Sequence, residues 1–229
     1  MRTLAIGDIH GMSGALDALL DAVNPTMGDR LVFLGDYVDR GPDSKGAIDR
    51  ILALTSYYSI VCLKGNHEIM MSKARHDREA RKLWLAVGGV QAMASYSSGG
   101  RSSFGDIPEV HWEFIDNCSP YWETDTHIFV HANLAEKLPL VEQPESKLYW
   151  EHLNGPIQHE SGKTVICGHT SQRSGIPLAW PTTICIDTKA YADGGWLTCL
   201  EVGTTHYLQA NAMGQTREGD LVIQSEAKA

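Results

Sequence analysis

The chain has 229 residues, 43% hydrophobic and 21% charged, with a formal net charge of −9. This length suits one domain with its own core, and the composition excludes a disordered or membrane chain. No apolar run reaches the ~18–20 residues of a membrane helix, and the acidic balance argues against nucleic-acid phosphate as the main partner.

Met1 to Asp8 meets an acid too early for a secretory leader, so a cytoplasmic setting is expected. Cys62, Cys118, Cys167, Cys185 and Cys199 form no C-x-x-C pair and have apolar neighbours. They read as small buried thiols in a reducing compartment.

In chain order, Thr3 to Gly7 is a short apolar strand stopping at Asp8. Ser13 is placed to cap a helix carrying Leu16, Leu19, Leu20 and Val23 at helical spacing. Arg30 to Leu34 repeats the strand signal, and Asp43 or Ser44 caps a helix that buries Ile48, Ile51, Leu52 and Leu54. Ile60 to Leu63 is a third strand. Three strand–loop–helix units in succession predict an α/β layer with function at the carboxyl ends of its strands.

Glu68 to Trp122 reads as mainly helical, interrupted by a Ser/Gly loop over Ser95–Ser103. Strands follow at His127–His131, Thr164–Cys167, Thr183–Ile186, Trp196–Val202 and Thr205–Ala210. A turn at Asn211–Gly214 then predicts a last strand over Asp220–Gln224. The expectation is a single α/β (α+β) domain, with its core over residues 3–202 and a terminal hairpin and tail over 203–229.

Five polar motifs follow or end predicted strands. They are Gly7-Asp8-Ile9-His10-Gly11, Gly35-Asp36-Tyr37-Val38-Asp39-Arg40-Gly41, Gly65-Asn66-His67-Glu68, Val130-His131-Ala132-Asn133 and Gly168-His169-Thr170. Their Asp, His and Asn side chains suit divalent first-row ions. Asp8 and His10, two apart at a strand end, can point to one side and chelate one ion. A lone Asp or His after a strand is usually a cap or a surface residue. Gly-Asn-His-Glu alone arises by chance on the order of once per thousand chains of this length, so the ordered set of five is a specific signal.

These motifs resemble the phosphoprotein phosphatase branch of the calcineurin-like metallophosphoesterases, nearest to its small bacterial and phage serine/threonine phosphatases. Leu83-Trp84-Leu85 with Gly88-Gly89, Leu148-Tyr149-Trp150 and Ile186-Asp187-Thr188 extend the resemblance from Leu4 to about Val202. It implies a β-sandwich flanked by helices. It also implies two divalent ions, Mn first with Fe, Zn or Ni as alternatives, bridged by a water that attacks phosphorus. Asp8, His10 and Asp36 would bind one ion. Asp36 would bridge to a second held by Asn66, His131 and His169. His67 would act as general acid, Asp39 would hold it protonated and turned, and Arg40 would fork onto the phosphoryl oxygens, with Asn66 also facing the substrate.

Two departures stand out. Small phage-like relatives carry a second phosphate-binding arginine where this chain has His152, leaving His152, Arg101 or Arg173 to substitute. Lys189 stands where relatives often have glycine, and an exposed lysine is expected there.

Other signals are set aside. Gly162-Lys163-Thr164 lacks the first glycine of a P-loop and leads into a strand, and Met71 replaces the second histidine of a zinc-protease helix. Trp112, Phe114, Tyr121 and Trp122 read as packing before a substrate groove. His76, His111, His127, His159 and His206 read as ordinary surface or strand histidines.

The function expected is a serine/threonine, and further a tyrosine, phosphatase acting on a phosphorylated protein or a small phosphoester. A diadenosine-tetraphosphate-type hydrolase is the alternative, disfavoured by Asp39 and Glu68. An inactive metal-binding regulatory module is the remote alternative. Neither nucleic acid nor membrane is an expected partner, and the oligomeric state is left open.

Overall fold

The computed structural model describes residues 1–97, 99 and 102–225. The amino-terminal half alternates β1 (Thr3–Ile6), α1 (Ser13–Val23), β2 (Arg30–Phe33), α2 (Ser44–Leu54) and β3 (Ser59–Cys62). Helices α3 (Asn66–His76), α4 (Arg78–Trp84), α5 (Val90–Ser95) and α6 (Glu109–Asn117) follow, with a π-helical turn at Leu85–Gly89 joining α4 to α5. The second half holds β4 (Tyr121–Glu123), β5 (His127–Val130), α7 (Glu145–Trp150), β6 (Thr164–Cys167), β7 (Leu178–Trp180) and β8 (Thr183–Cys185). It ends with β9 (Leu197–Glu201), β10 (His206–Ala210) and β11 (Thr216–Asp220).

The strands form two sheets, β11-β10-β9-β1-β2-β3 and β4-β5-β6-β8-β7. Strands β1, β2 and β3 run parallel, as do β5, β6 and β8, while the remaining neighbours are antiparallel. Side chains alternate across each strand, so successive residues enter different cores. Ala5, Val32 and Leu200 of one sheet meet Phe129, Ile166 and Ile184 of the other, forming the sandwich interior. Leu4, Ile6, Leu31 and Phe33 face outward onto Leu16, Leu19, Ile48 and Ile51 of α1 and α2. On the far side, Ile128, Val130, Val165 and Cys167 pack under Leu148 and Tyr149 of α7. This is the mixed α/β sandwich flanked by helices that the motifs imply, and no described helix is long and apolar enough to cross a membrane.

Several local expectations need correction. Ser13 is the first helical residue of α1 rather than its cap, and its hydroxyl donates to Asp43 Oδ2 at 2.6 Å. Asp43 does cap α2, accepting from Gly46 N–H at 2.8 Å. Tyr121 and Trp122 belong to β4 rather than to the helical middle. The last strand begins at Thr216, not Asp220, because Asn211 closes the turn early by accepting from the N–H groups of Met213 and Gln215, each at 3.0 Å. The expected Ser95–Ser103 loop falls partly on Ser98, Gly100 and Arg101, outside the described residues. The five cysteines are free thiols.

Candidate active site

The candidate metal-binding and catalytic side chains stand on segments that leave the carboxyl ends of strands, whereas His152 follows α7. Asp8 and His10 follow β1, Asp36, Asp39 and Arg40 follow β2, Asn66 and His67 open α3 after β3, His131 follows β5 and His169 follows β6. His10, Asp36, Asp39, Arg40 and His169 have positive φ, between 46° and 74°. Residues with a Cβ rarely adopt that region, at a cost on the order of 1–2 kcal/mol each. Such a concentration in five turn residues marks a place where packing holds the backbone against its preference.

Glu68 supplies much of that hold. Buried at the third position of α3, its carboxylate accepts from the N–H groups of Asp36 (2.9 Å), Tyr37 (2.8 Å) and Gly65 (2.9 Å). One side chain thus ties the β2 loop to the start of α3. Burial, then the neighbouring Asp36 charge, pushes its carboxyl up to about 7. Gly65 must be glycine, since a Cβ there would lie 2.2 Å from Asp36 Oδ1.

Three imidazoles are oriented by backbone carbonyls. His10 Nδ1 meets Val38 O at 3.0 Å, His131 Nδ1 meets Leu34 O at 2.8 Å and His169 Nε2 meets Trp150 O at 3.1 Å. Each carbonyl takes the ring proton, so the other nitrogen presents a lone pair inward, as carbonyl-held metal ligands do. Two groups of ligand atoms result, His10 with Asp36 and His67, and Asp36 with His131 and His169, each group within 4.8 Å. Asp36 belongs to both. Asn66 Oδ1 lies 3.0 Å from His131 Nε2 and 3.2 Å from His169 Nδ1.

Acceptors facing acceptors repel unless a cation stands between them, so the donor set fits divalent ions. Rotating the Asn66 amide turns its NH2 onto the same two nitrogens, and a bound ion would select the oxygen-inward form. At His10, His169 and Asp36 the charge states agree with ligation, which requires neutral imidazole and ionised carboxylate. Burial pushes His10 well down despite Asp36, and burial with His131 lowers His169 to about 4. Burial would raise Asp36, but His131, His67 and His10 hold it below the ordinary carboxylate range.

Asp8 lies beside these groups but in neither; it accepts from the His169 N–H at 3.1 Å. Burial, then the charges of Asp187 and Asp36, pushes its carboxyl well up.

His67 is arranged differently. Its Nδ1 contacts Asp39 Oδ2 at 2.6 Å, and Trp84 Nε1 donates to both Asp39 oxygens at 2.9 and 2.8 Å. Burial lowers the affinity of His67 for a proton, but Asp36 and Asp39 outweigh it and hold the ring above its ordinary value. Its Nε2 lies 4.0 Å from Asp36 Oδ2. Arg40 Nη1 contacts His10 Nε2 at 2.8 Å, and its guanidinium lies 4.6 Å over the Tyr191 ring. Gly88, at φ 129°, brings the π-helical turn against it, and a Cβ there would stand 2.6 Å from Arg40 N. His152 is exposed and stacks on His169 at 4.6 Å, forming the rim.

Trp84 and Tyr191 are the site-shaping residues that sequence reasoning did not assign. Trp84 was visible only as part of a family-like segment, and Tyr191 only by lying four residues past Asp187. The histidines outside the motifs divide. His111 and His159 are buried, not surface residues, each held through both ring nitrogens.

The model of the calcineurin-like phosphoesterase family matches residues 1–182. The chain belongs to that family. Its members are hydrolases that use divalent metals. A symmetrical bis(5'-nucleosyl)-tetraphosphatase of Pseudomonas putida is 39% identical over 84 residues, 36% of this chain and 28% of that protein. Serine/threonine-protein phosphatase 1 of Salmonella typhimurium is 32% identical over 132 residues, 56% of this chain and 57% of that one. The match spans less than two thirds of either relative. Among solved structures, a provisionally assigned diadenosine tetraphosphatase superposes with a TM-score of 0.67 at 19% identity, covering 96% of this chain and 93% of its own. A cold-active protein tyrosine phosphatase gives 0.61 at 16% identity, over 95% and 78%. Those two likenesses bear on the fold.

Proposed function

We propose that this phosphoesterase uses two divalent ions, Mn foremost, to hydrolyse phosphoserine and phosphothreonine monoesters, with phosphotyrosine as a further substrate. The observation that carries the reading is the 2.6 Å Asp39–His67 contact beside a carboxylate shared by two ligand groups. Ions held by His10, Asp36, Asn66, His131 and His169, with Asp8 at the edge, would polarise the phosphoryl group and make water acidic.

The chain's own residues do the rest. Asp39 keeps the Nδ1 proton on His67 and fixes the ring plane, and the Trp84 indole fixes Asp39 in turn. His67 Nε2 then donates to the departing alkoxide, a strong base that leaves poorly without a proton. Arg40 forks onto two phosphoryl oxygens, a planar geometry that lysine does not reproduce. Leu83 (72% exposed) and Val90 (57%) lie on either side, in sequence, of the turn whose Gly88 touches Arg40, and would be available to a polypeptide substrate.

A second reading, hydrolysis of dinucleoside polyphosphates, draws on the 39% identity to the Pseudomonas putida protein. Phosphoserine peptides and diadenosine tetraphosphate, assayed side by side with Mn, separate the two. The peptides should show the higher kcat/KM; the reverse preference would transfer the assignment to the polyphosphate. Inactivity toward both, and toward p-nitrophenyl phosphate with Mn, Ni or Zn across pH, would leave an inactive metal-binding module.

A further inference from the structure

A phosphomonoester dianion presents three terminal oxygens, and one guanidinium satisfies two. The pocket around it is acidic, with Asp8, Asp36, Asp39 and Asp187 all buried, in a chain of net charge −9. An anionic substrate entering such a field gains from more than one fixed cation. His152 lies at the rim, its exposed ring stacked on His169 at 4.6 Å.

Lys189 offers a second cation. Its ammonium lies 5.9 Å from the centre of the Tyr191 ring, the same ring that carries the Arg40 guanidinium at 4.6 Å and meets His10 edge-on at 5.0 Å. Tyr191 therefore gathers both cations next to a metal-ligand candidate. Among the described residues no carboxylate pairs with the Lys189 ammonium; Lys64, Lys73 and Lys137 are likewise unpaired, but of these four only Lys189 lies over the ring that carries Arg40. The main chain that aims it is fixed on both sides. Its N–H donates to Asp187 Oδ1 at 2.9 Å, and its carbonyl accepts from Ala192 N–H at 3.0 Å. Asp187 is itself held by the Ser171 hydroxyl at 2.6 Å. Lys189 has φ 59°, a conformation that glycine adopts freely and a lysine resists. For the fold alone, glycine would serve better here.

We infer that Lys189 is a second cationic clamp for the substrate's phosphoryl group, acting beside Arg40 around the Tyr191 ring. The inference rests on the phosphoesterase reading above and assigns one more substrate contact within it. A flexible ammonium makes a less directional contact than a guanidinium, so its effect falls on affinity more than on proton transfer.

The test compares Lys189→Gly and Lys189→Arg with the wild type, all loaded with Mn. Inorganic phosphate is the probe, followed by calorimetry and as a competitive inhibitor of p-nitrophenyl phosphate hydrolysis. Lys189→Gly should bind phosphate about five- to tenfold more weakly. The loss in kcat/KM should appear mainly in KM, while the protein melts at or above the wild-type temperature. Lys189→Arg should recover most of the affinity. If Lys189→Gly fails to fold, Lys189→Asn carries the same test, because Asn tolerates the left-handed region. Unchanged phosphate affinity in a folded variant, beside a wild type that binds phosphate and turns over, overturns the Lys189 assignment alone. A wild type that neither binds phosphate nor hydrolyses any phosphoester overturns both readings.

Discussion

Two histidine environments among the described residues are built on opposite rules. At the carboxyl ends of the strands, His10, His131 and His169 point acceptor atoms at Asp36 and Asn66. Behind the first sheet, His111 on α6 sits between complementary partners, with Tyr96 Oη at 2.9 Å from Nδ1 and Asp49 Oδ1 at 2.9 Å from Nε2. Tyrosine donates to one nitrogen and the other donates to the carboxylate, so a neutral ring is fully satisfied and the end of α5 is joined to α6 and α2. The first cluster sits on left-handed backbone, and even with the Asn66 amide rotated its two hydrogens face four acceptors, on His131, His169 and both oxygens of Asp36. The second is complete and sits in regular helix. A buried polar cluster whose members cannot satisfy one another points to function, and one whose members can points to the fold.

Substituting each cluster should break different things. The largest effect belongs to the site. His67→Asn should lower kcat on alkyl phosphates by about 10²–10⁴ while manganese content stays at the wild-type level. Aryl phosphates, with better leaving groups, should lose less. Metal analysis beside steady-state rates on both substrate types decides it, and equal losses on both would remove His67 from the acid role.

Next comes the complete cluster. His111→Ala removes two hydrogen bonds and buried volume, and should cost about 2–3 kcal/mol in denaturant unfolding. Activity per folded molecule should be unchanged. Burial holds His111 below its ordinary pKa, although Asp49 works in the other direction. The unfolded chain therefore takes up a proton near pH 6.5 before the folded one does. The contribution of His111 is fully present above that pH and fades as pH falls through the folded pKa. The stability gap between wild type and His111→Ala should accordingly narrow from pH 7.5 to 5.5. A gap that widens toward acid would mean that the ring is charged in the native state.

Only the first cluster was legible in the sequence, for a physical reason. Parallel strands deliver their carboxyl ends to one edge, so chemistry-bearing residues just past short apolar runs converge there whatever the intervening loops do. His111 gave no such sign, because its carboxylate partner lies 62 residues away on another helix. Strands β4 and β7 have three residues each, too few for a period. Strand β11, Thr-Arg-Glu-Gly-Asp, has no apolar alternation. It is a strand because the Asn211 turn sets its register and Arg217 reaches Gln209 Oε1 at 2.7 Å and Gly175 O at 2.6 Å. Lys189 was legible as an oddity, and its left-handed backbone became visible only with the turn around it.

A milder substitution tests how far the site depends on its outer supports. Trp84 is fully buried, and its indole N–H is the donor that shares Asp39 with His67. Trp84→Phe keeps most of the packing and deletes that donor. Turnover should fall about tenfold, the equivalent of one hydrogen bond to a charged group, with KM little changed. A change in KM alone would make Trp84 a wall of the pocket instead of a support for Asp39.

The smallest effect is the most diagnostic, because it reverses the usual sign. Asp8 is buried, and both burial and the charges of Asp187 and Asp36 oppose its ionisation. Without ions, that charge is a burden on the fold. Asp8→Asn keeps an oxygen to accept the His169 N–H and removes the repulsion. The metal-free variant should therefore gain about 1 kcal/mol in stability, the familiar exchange of activity for stability at functional sites. Added manganese should stabilise the wild type by mass action, and should stabilise the variant less. Thermal melts with and without Mn measure both halves. A metal-free Asp8→Asn that melts lower than the wild type would place Asp8 with His111, among the residues that hold the fold together.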